Sequence, residues 1–440
     1  MSSDKVFLGE QTRLALDNFQ ISSLRLPSRF IGALLMIKRA AAETNADLGV
    51  LPDEIAAAIA ASAAELATDV PMDLFPLDVF QTGSATSTHM NVNEILAKFA
   101  SDRCKKQVHP NDHVNAGQSS NDVVPTAIHL CTALAIEQTL LPSLTVLQEQ
   151  LAAKREEIGD IVKTGRTHLM DAMPITFGQE LSAWETQLDE CAERIISVFP
   201  RLCKLALGGT AVGTGINAHP DFSRLACRRL SELSGLKLAP GSNLMTAVAC
   251  QDTATELSGQ LRVLAVALSK IANDLRLMNS GPGAGFGEIS LSELQAGSSI
   301  MPGKVNPVIP EAVAMVCAQV MGNDLTIAYA AQSGNFQLNT MLPLIAYNLL
   351  QSIELLDGAC QALAWKAVTG MSVNADRVAA AVATNPILAT ALNPIIGYEL
   401  AAIIAKQAAA SGQPLIDVAE TLCDIPRSEL ERLLDPRRLT

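Results

Sequence analysis

Aromatic residues are scarce in this chain: 2 Trp, 3 Tyr and 11 Phe make up 4% of it. A β-sandwich builds its pleated faces from aromatic and β-branched residues, so the scarcity argues against one. Positive charge is also short, with 32 Lys and Arg against 45 Asp and Glu and a net charge of −13. A nucleic-acid partner needs a basic face, which this balance does not offer. An anionic ligand would have to be drawn by a local positive site, not by the global field. The nine cysteines are scattered from Cys104 to Cys423 without a C-x-x-C pair, a spacing that supports neither structural zinc nor an iron–sulfur cluster. Cys250 and Cys317, in apolar stretches, read as small core residues in a reducing compartment. There is no H-E-x-x-H metal motif. The opening MSSDKVFLGEQTR lacks the basic-then-apolar layout of a signal peptide. The apolar runs are interrupted by Asp, Lys, Arg or Gln before they reach a membrane span. The expected setting is the cytoplasm, with no membrane partner. Internal repeats and low-complexity linkers are absent.

What is present is alanine, leucine and helical periodicity, in a chain that is 49% hydrophobic. At 440 residues it can hold one large core or two to three subdomains. Three regions emerge. Residues 1–116 mix short helical patterns with polar segments, and 29–46 and 53–68 read as helices. Residues 117–376 carry the longest patterns: Leu257, Leu261, Leu264, Leu268, Ile271, Leu275 and Met278 follow a strict 4-3 alternation, a heptad seam. The stretches 176–206, 305–333 and 344–369 lack strong breakers, and Pro343 suits a helix start. Pro142 is expected to bend or divide the run 119–156. Residues 377–440 hold an Ala/Ile-rich helix (399–411), a Gly-Gln-Pro turn and an acidic helix near 427–434. Several long helices imply a bundle. On pattern alone the seam fits an intrachain core or an intersubunit surface equally.

Against this background residues 297–306, GSSIMPGKVN, stand out. Two hydroxyls, a lysine and an amide are packed among glycines and a proline, and SGPGAGFG (280–287) precedes them. Glycine there sacrifices helix propensity and chain order, so 280–306 reads as a hydroxyl-bearing loop over an anionic substrate. The G-x-G-x-G at 281–287 follows a helical seam, not the strand that a dinucleotide site requires. Gly303-Lys304 is followed by valine and preceded by a glycine one residue too far for a P-loop. No cofactor is implied.

Three further polar clusters border apolar helical stretches: TGSATSTHMNVNE (82–94), HPNDHVNAGQSSND (109–122) and GRTHLMD (165–171). Any one of them suits helix capping. Together the four clusters hold four of the six histidines. Ser, Thr and Asn donors with one lysine suit a ligand's carboxylates, and two carboxylates need two donor sets. A clamped carboxylate acidifies the neighbouring C–H if its aci form is stabilised. A base then takes the proton and an acid assists the leaving group. Serine can be that base when donors and a cation lower its pKa. Backbone N–H groups of a glycine-rich loop aimed at Ser298, with Lys304 nearby, would do so.

The four segments, in this order and at these intervals, resemble the fumarase/aspartase superfamily. The loop fits its signature G-S-x-x-M-x-x-K-x-N at Gly297, Ser298, Met301, Lys304 and Asn306. The likeness runs from LGEQTRLALDNF (8–19) to ALNPIIGYELAAIIAK (391–406). QTGS (81–84), HPNDHVN (109–115), QSSND (118–122), GRTH (165–168), GGTAVGTG (208–215) and SGNFQLN (333–339) look most like class II fumarase, the iron-free type. ELQAGSSIMP and NPVIPE lean toward aspartase.

The resemblance implies an all-α, three-domain fold with a long central helical bundle, divided as 1–116, 117–376 and 377–440. It implies a homotetramer whose active sites are shared between three subunits, with the 257–278 seam packing between them. It implies reversible hydration of a small dicarboxylate, fumarate, to L-malate, without metal. By position, Ser298 matches the catalytic base and His168 the histidine that donates or accepts a proton, with Glu311 as its charge partner. Ser84, Ala85, Thr86, Ser119, Ser120, Asn121, Thr167, Ser299, Lys304, Val305 and Asn306 match substrate-contacting positions. His109, Pro110, Asn111 and Asp112 match a second, non-catalytic dicarboxylate site. The chain departs from type at His89, where asparagine is usual. It also departs at Ser87, Thr88, Met170 and Met173, and at Gly283, where S-G-P-R has arginine. His89 is therefore the candidate specificity position. An ammonia-lyase acting on aspartate or a substituted succinate is the alternative enzyme, and a non-catalytic superfamily scaffold is the minor one.

Overall fold

The computed structural model describes residues 7–440; the first six residues of the segment weighed against a signal peptide lie outside it. The described residues are mainly helical, with three two-stranded sheets. They group into two compact units. One comprises Met1–Pro142, Cys191–Ala265 and Cys317–Asp357, and the other Ser143–Glu190, Val266–Val316 and Gly358–Thr440.

In the first unit the helices Ser28–Asp47 and Asp53–Thr68 match the two sequence patterns. Ala33, Ala40, Ala41, Ala56, Ala58 and Ala63 are all buried between helices, so alanine here serves close backbone approach. The run from Ser120 to Ile158 is not broken at Pro142: it continues as one helix with a π-helical turn just before the proline. The helix Ser120–Ala135 passes into a π-helical turn, Ile136–Leu140, and then into Leu141–Ile158. Proline lacks an N–H and its ring crowds the carbonyl four residues back, and the wider turn just upstream relieves both. This continuous run corrects one sequence expectation. It is long and apolar enough to cross a membrane, with a mean hydropathy of 1.4, yet 56% of its apolar window is buried inside the protein, as in a core helix.

In the second unit an antiparallel hairpin, Val162–Thr167 with Met170–Thr176, lies ahead of the helix Phe177–Ile196. The C-terminal segment folds around its own apolar cluster, which includes Leu388, Leu392, Ile404, Leu415, Val418 and Leu430.

The heptad seam lies on the helix Asp252–Met278. Leu257, Leu261, Leu264, Leu268, Ile271 and Leu275 are 0% exposed and Met278 is 5% exposed. The expectation of an intersubunit seam is therefore corrected: these side chains are already covered within one chain. An exposed seam lies instead on the helix Val308–Gln332. There Met315, Ala318, Gly322, Leu325 and Tyr329 repeat the 3-4 spacing and all face solvent, Leu325 at 74% exposure.

Candidate active site

The first unit organises one set of polar residues around the N-terminus of the helix Ser120–Ala135. Ser119 caps it: its Oγ accepts from the Asn121 N–H at 3.2 Å, and the Asp122 carboxylate accepts from the Ser119 N–H at 2.9 Å. This capping box frees Ser120 at the positive end of the helix dipole, a favourable place for an anion. Ser84, Thr86 and Ser120 form a chain of hydroxyls, with Ser84 Oγ to Thr86 Oγ1 at 2.6 Å and Thr86 Oγ1 to Ser120 Oγ at 2.7 Å. Ala85 holds the turn before Thr86 in a left-handed conformation, φ 56°. Asn121 Nδ2 donates to the Ala211 carbonyl at 2.9 Å.

Two residues that sequence reasoning did not single out anchor this set. Asp122 is fully buried, and its Oδ2 also accepts from the Gly208 and Thr210 N–H groups, both at 2.9 Å. Burial pushes its pKa up to about 6, against the opposing pull of those N–H donors and of Lys38. Lys38, equally buried, donates to Asn115 Oδ1 at 2.9 Å and Gln118 Oε1 at 3.0 Å. Burial holds its ammonium well below the usual lysine range, partly offset by Asp122. The S-x-x-D spacing of Ser119 and Asp122 was the available signal for the first residue. Nothing local distinguished Lys38 from a surface lysine. His89 is 1% exposed, with no hydrogen-bond partner for Nε2. Burial, with the Lys38 charge second, holds its pKa well below the ordinary value, which favours the neutral imidazole.

His109 caps a π-helical turn, Pro110–Val114, and His113 lies within it, four residues on. Both Nδ1 atoms are engaged. That of His109 accepts from the Asn111 and Asp112 N–H groups at 3.3 and 3.1 Å, and that of His113 from the His109 N–H at 2.9 Å. The Asp112 carboxylate lies 3.2 Å from His109. Among the described residues no group of three or more His, Cys, Asp and Glu is arranged to hold a metal ion.

The second unit carries the other set. His168 and Leu169, at φ 56° and 60°, form the two-residue turn of the hairpin, whose register pairs Thr167 with Met170. Two consecutive left-handed residues are the primed-turn geometry that two-residue hairpins favour, here built without glycine. Thr167, His168, Leu169 and Met170 are all exposed. Behind the turn, Lys163 lies 2.9 Å from Glu288, and Arg166 lies 2.8 Å from the same carboxylate. Lys163 also pairs with Glu180.

In the loop, Ser298 Oγ accepts two backbone hydrogen bonds, from Ile300 N–H at 3.2 Å and Met301 N–H at 3.1 Å. Asn306 Nδ2 donates to the Gly297 carbonyl at 2.9 Å and closes the loop. A Cβ at Gly297 would lie 1.9 Å from the Lys304 carbonyl, so this glycine is required by close approach and is not a hinge. Gly297→Ala should therefore open the loop, lowering turnover about as much as loss of Ser298 while leaving the melting temperature nearly unchanged; kinetics beside thermal denaturation checks this. Ser299 and Lys304 are exposed, and among the described residues no carboxylate pairs with Lys304. Val305 and Asn306 are half-buried beside it. Glu311 is half-buried in the first turn of the following helix. Among the described residues, no hydrogen bond or ion pair joins His168 to Glu311 or to Ser298.

With this geometry established, comparison with known proteins decides the family. A family profile described as "Lyase" matches residues 2–322, and one described as "Fumarase C C-terminus" matches 388–440. The chain is 55% identical to a protein named fumarate hydratase class II 2 from Pseudomonas aeruginosa, covering 98% of this chain and 94% of that one. The chain belongs to the class II fumarate hydratase family. A fumarate hydratase class II from Xylella fastidiosa is 53% identical over 98% of this chain and 91% of its own. The crystal structure of a recombinant class II fumarase from Schistosoma mansoni superposes with a TM-score of 0.96 at 37% identity, covering 100% of this chain and 96% of that one. The helical fold expected from the resemblance is the fold of this family.

Proposed function

We propose that this protein is a fumarate hydratase that interconverts fumarate and L-malate, with Ser298 as the base. The observation that carries this reading is the pair of N–H groups, from Ile300 and Met301, that donate to Ser298 Oγ. Donors aimed at an oxygen favour its anion over its neutral form. An alkoxide at Ser298 takes the C3 proton of malate. The electron pair moves into the adjacent carboxylate, whose aci form is held by Lys304, Asn306, Val305 and Ser299. The C2–OH bond then breaks on the opposite face, and the hydroxyl leaves as water with a proton supplied from the His168 side.

The other carboxylate is held by Ser84, Ala85, Thr86, Ser119, Ser120, Asn121 and Thr167. The Thr86–Ser120 hydroxyl chain at a helix N-terminus supports this assignment. Glu311 is assigned as the partner that orients His168 and stabilises its charged form. His109 to Asp112 are assigned to a second dicarboxylate site, where the Nε2 of His109 is the ring nitrogen free for a ligand. His89 is assigned an influence on specificity from its buried place on the helix that Thr86 begins, three positions further on.

The active unit is a homotetramer with sites shared between copies. That reading accounts for an exposed His168 with no hydrogen-bond or ion-pair partner among the described residues. It also accounts for the exposed Met315–Tyr329 seam and for the exposed Leu169 and Met170 on the hairpin turn. The cytoplasmic setting rests on composition and the cysteine pattern.

Incubating purified protein with L-malate should raise fumarate absorbance. No fumarate, with ammonia released from an amino acid instead, would replace the hydratase by an ammonia-lyase. His168→Asn should lower kcat about 10²-fold or more and flatten the corresponding limb of the pH–rate profile; an unaltered profile removes His168 from proton transfer.

A further inference from the structure

The segment leading into the loop is fastened by a residue far away in sequence. Arg377, in the first turns of the helix Ala375–Ala383, donates from Nε to the Phe286 carbonyl at 2.6 Å, and from its two terminal nitrogens to the carbonyls of Pro282 and Gly285. Three carbonyls of one short arch thus converge on a single guanidinium, a planar fork of donors that lysine cannot reproduce. Gly287 is shaped around it: its φ is +59°, and a Cβ there would lie 2.9 Å from Arg377 Nε.

Asn374 extends the fastening. Its Nδ2 donates to the Gly287 carbonyl at 2.8 Å and its N–H to the Glu288 carbonyl at 2.9 Å. Ile289 and Ser290 then pair with Val373 and Ser372. The same arch meets the hairpin, because the Arg166 guanidinium stacks on the Phe286 ring, 4.4 Å from its centroid, and ion-pairs with Glu288. Two residues after Arg166 comes His168.

We propose that Arg377 is a positioning residue. It locks the 282–287 arch into one conformation, and so sets where the stem of the 297–306 loop begins and how the His168 hairpin sits against it. The proposal rests on the assignment of Ser298 and His168 to the chemistry. Arg377 itself is solvent-exposed, so its removal takes away loop contacts and leaves the core intact. A misplacement of about 1 Å at a reacting group can cost 10²-fold in rate.

The test compares Arg377→Ala and Arg377→Lys with wild type in the full-length protein. Arg377→Ala should lower kcat for malate about 10- to 100-fold, with an unchanged melting temperature and oligomeric state. Arg377→Lys should recover only part of the loss, and methylguanidinium added to the Ala variant should restore activity in a saturable way. Amide hydrogen exchange across 282–292 should rise in the Ala variant. Gly287→Ala, which crowds the guanidinium without removing it, should reproduce the exchange and rate effects if Arg377→Ala does not fold. Unchanged exchange would overturn the clamp. Raised exchange with wild-type turnover, or full recovery by lysine, would overturn its positioning role. A wild-type protein without malate or fumarate turnover would instead sink the functional reading, and the exchange arm would still judge the clamp.

Discussion

Ser298→Ala is expected to lower kcat for malate dehydration by about 10²- to 10⁴-fold, the range for loss of a positioned base. The effect on folding should be small. Ser298 is a half-buried loop residue whose hydrogen bonds are the two N–H groups it accepts, and those amides can turn to water. A loop change of this kind shifts stability by about 0.5 kcal/mol or less. The diagnostic pattern is a collapsed kcat in a protein with an unaltered melting curve and oligomeric state. Binding of a dicarboxylate inhibitor should survive, because Lys304 and Asn306 remain. Ser298→Ala turning over malate at the wild-type rate would remove it as the base, and the paired donors at its Oγ would then need another purpose.

Asp122→Ala is expected to damage the fold as well as the site. Its carboxylate accepts from the N–H groups of Ser119, Gly208 and Thr210 at 2.9 Å each, and it is fully buried. Truncation leaves two buried donors and one half-buried donor without a partner and deprives Lys38 of the charge opposing its desolvation. The cost is about 3–5 kcal/mol, read as a lower urea midpoint at fixed chain concentration. Ser119, Ser120 and Asn121 lose their register, so residual activity should show a raised KM.

Asp122→Asn separates charge from shape, and the sign of its pH dependence follows from the pKa. The wild-type carboxyl has a folded value of about 6, above its ordinary 3.8. Its linkage contribution is therefore fully present below about pH 4 and is lost as the pH rises through 6. The stability deficit of the Asn variant relative to wild type should thus be larger at pH 4 than at pH 7.5. A deficit that grows with pH would mean that the carboxylate is stabilised as the anion.

The sequence by itself determined the helical class, the positions of the main helices and the identity of the chemical loop. Helix signals are local: periodicity and alanine content survive without knowledge of neighbours, which is why the helices Ser28–Asp47 and Asp53–Thr68 were placed within one residue. The 297–306 loop was legible for the same reason, since its hydroxyls, lysine and glycines are contiguous. Donors aimed at Ser298 were expected from the glycine-rich composition, but only the tertiary structure identified them as Ile300 and Met301.

Heptad spacing reports that a face is apolar and is silent about what covers it. Only the packed chain decided that 257–278 is internal and that the uncovered seam is Met315 to Tyr329. Composition cannot distinguish a glycine kept for freedom from one kept for crowding, and the Lys304 carbonyl that crowds Gly297 comes into view only when the loop closes. Lys38 and Arg377 were passed over because each acts on groups distant in the chain, and Asp122 because its S-x-x-D spacing shows a helix cap but not the Gly208 and Thr210 N–H groups that it also holds. Arg377 meets carbonyls some 90 positions away, and no local pattern encodes a contact made by folding.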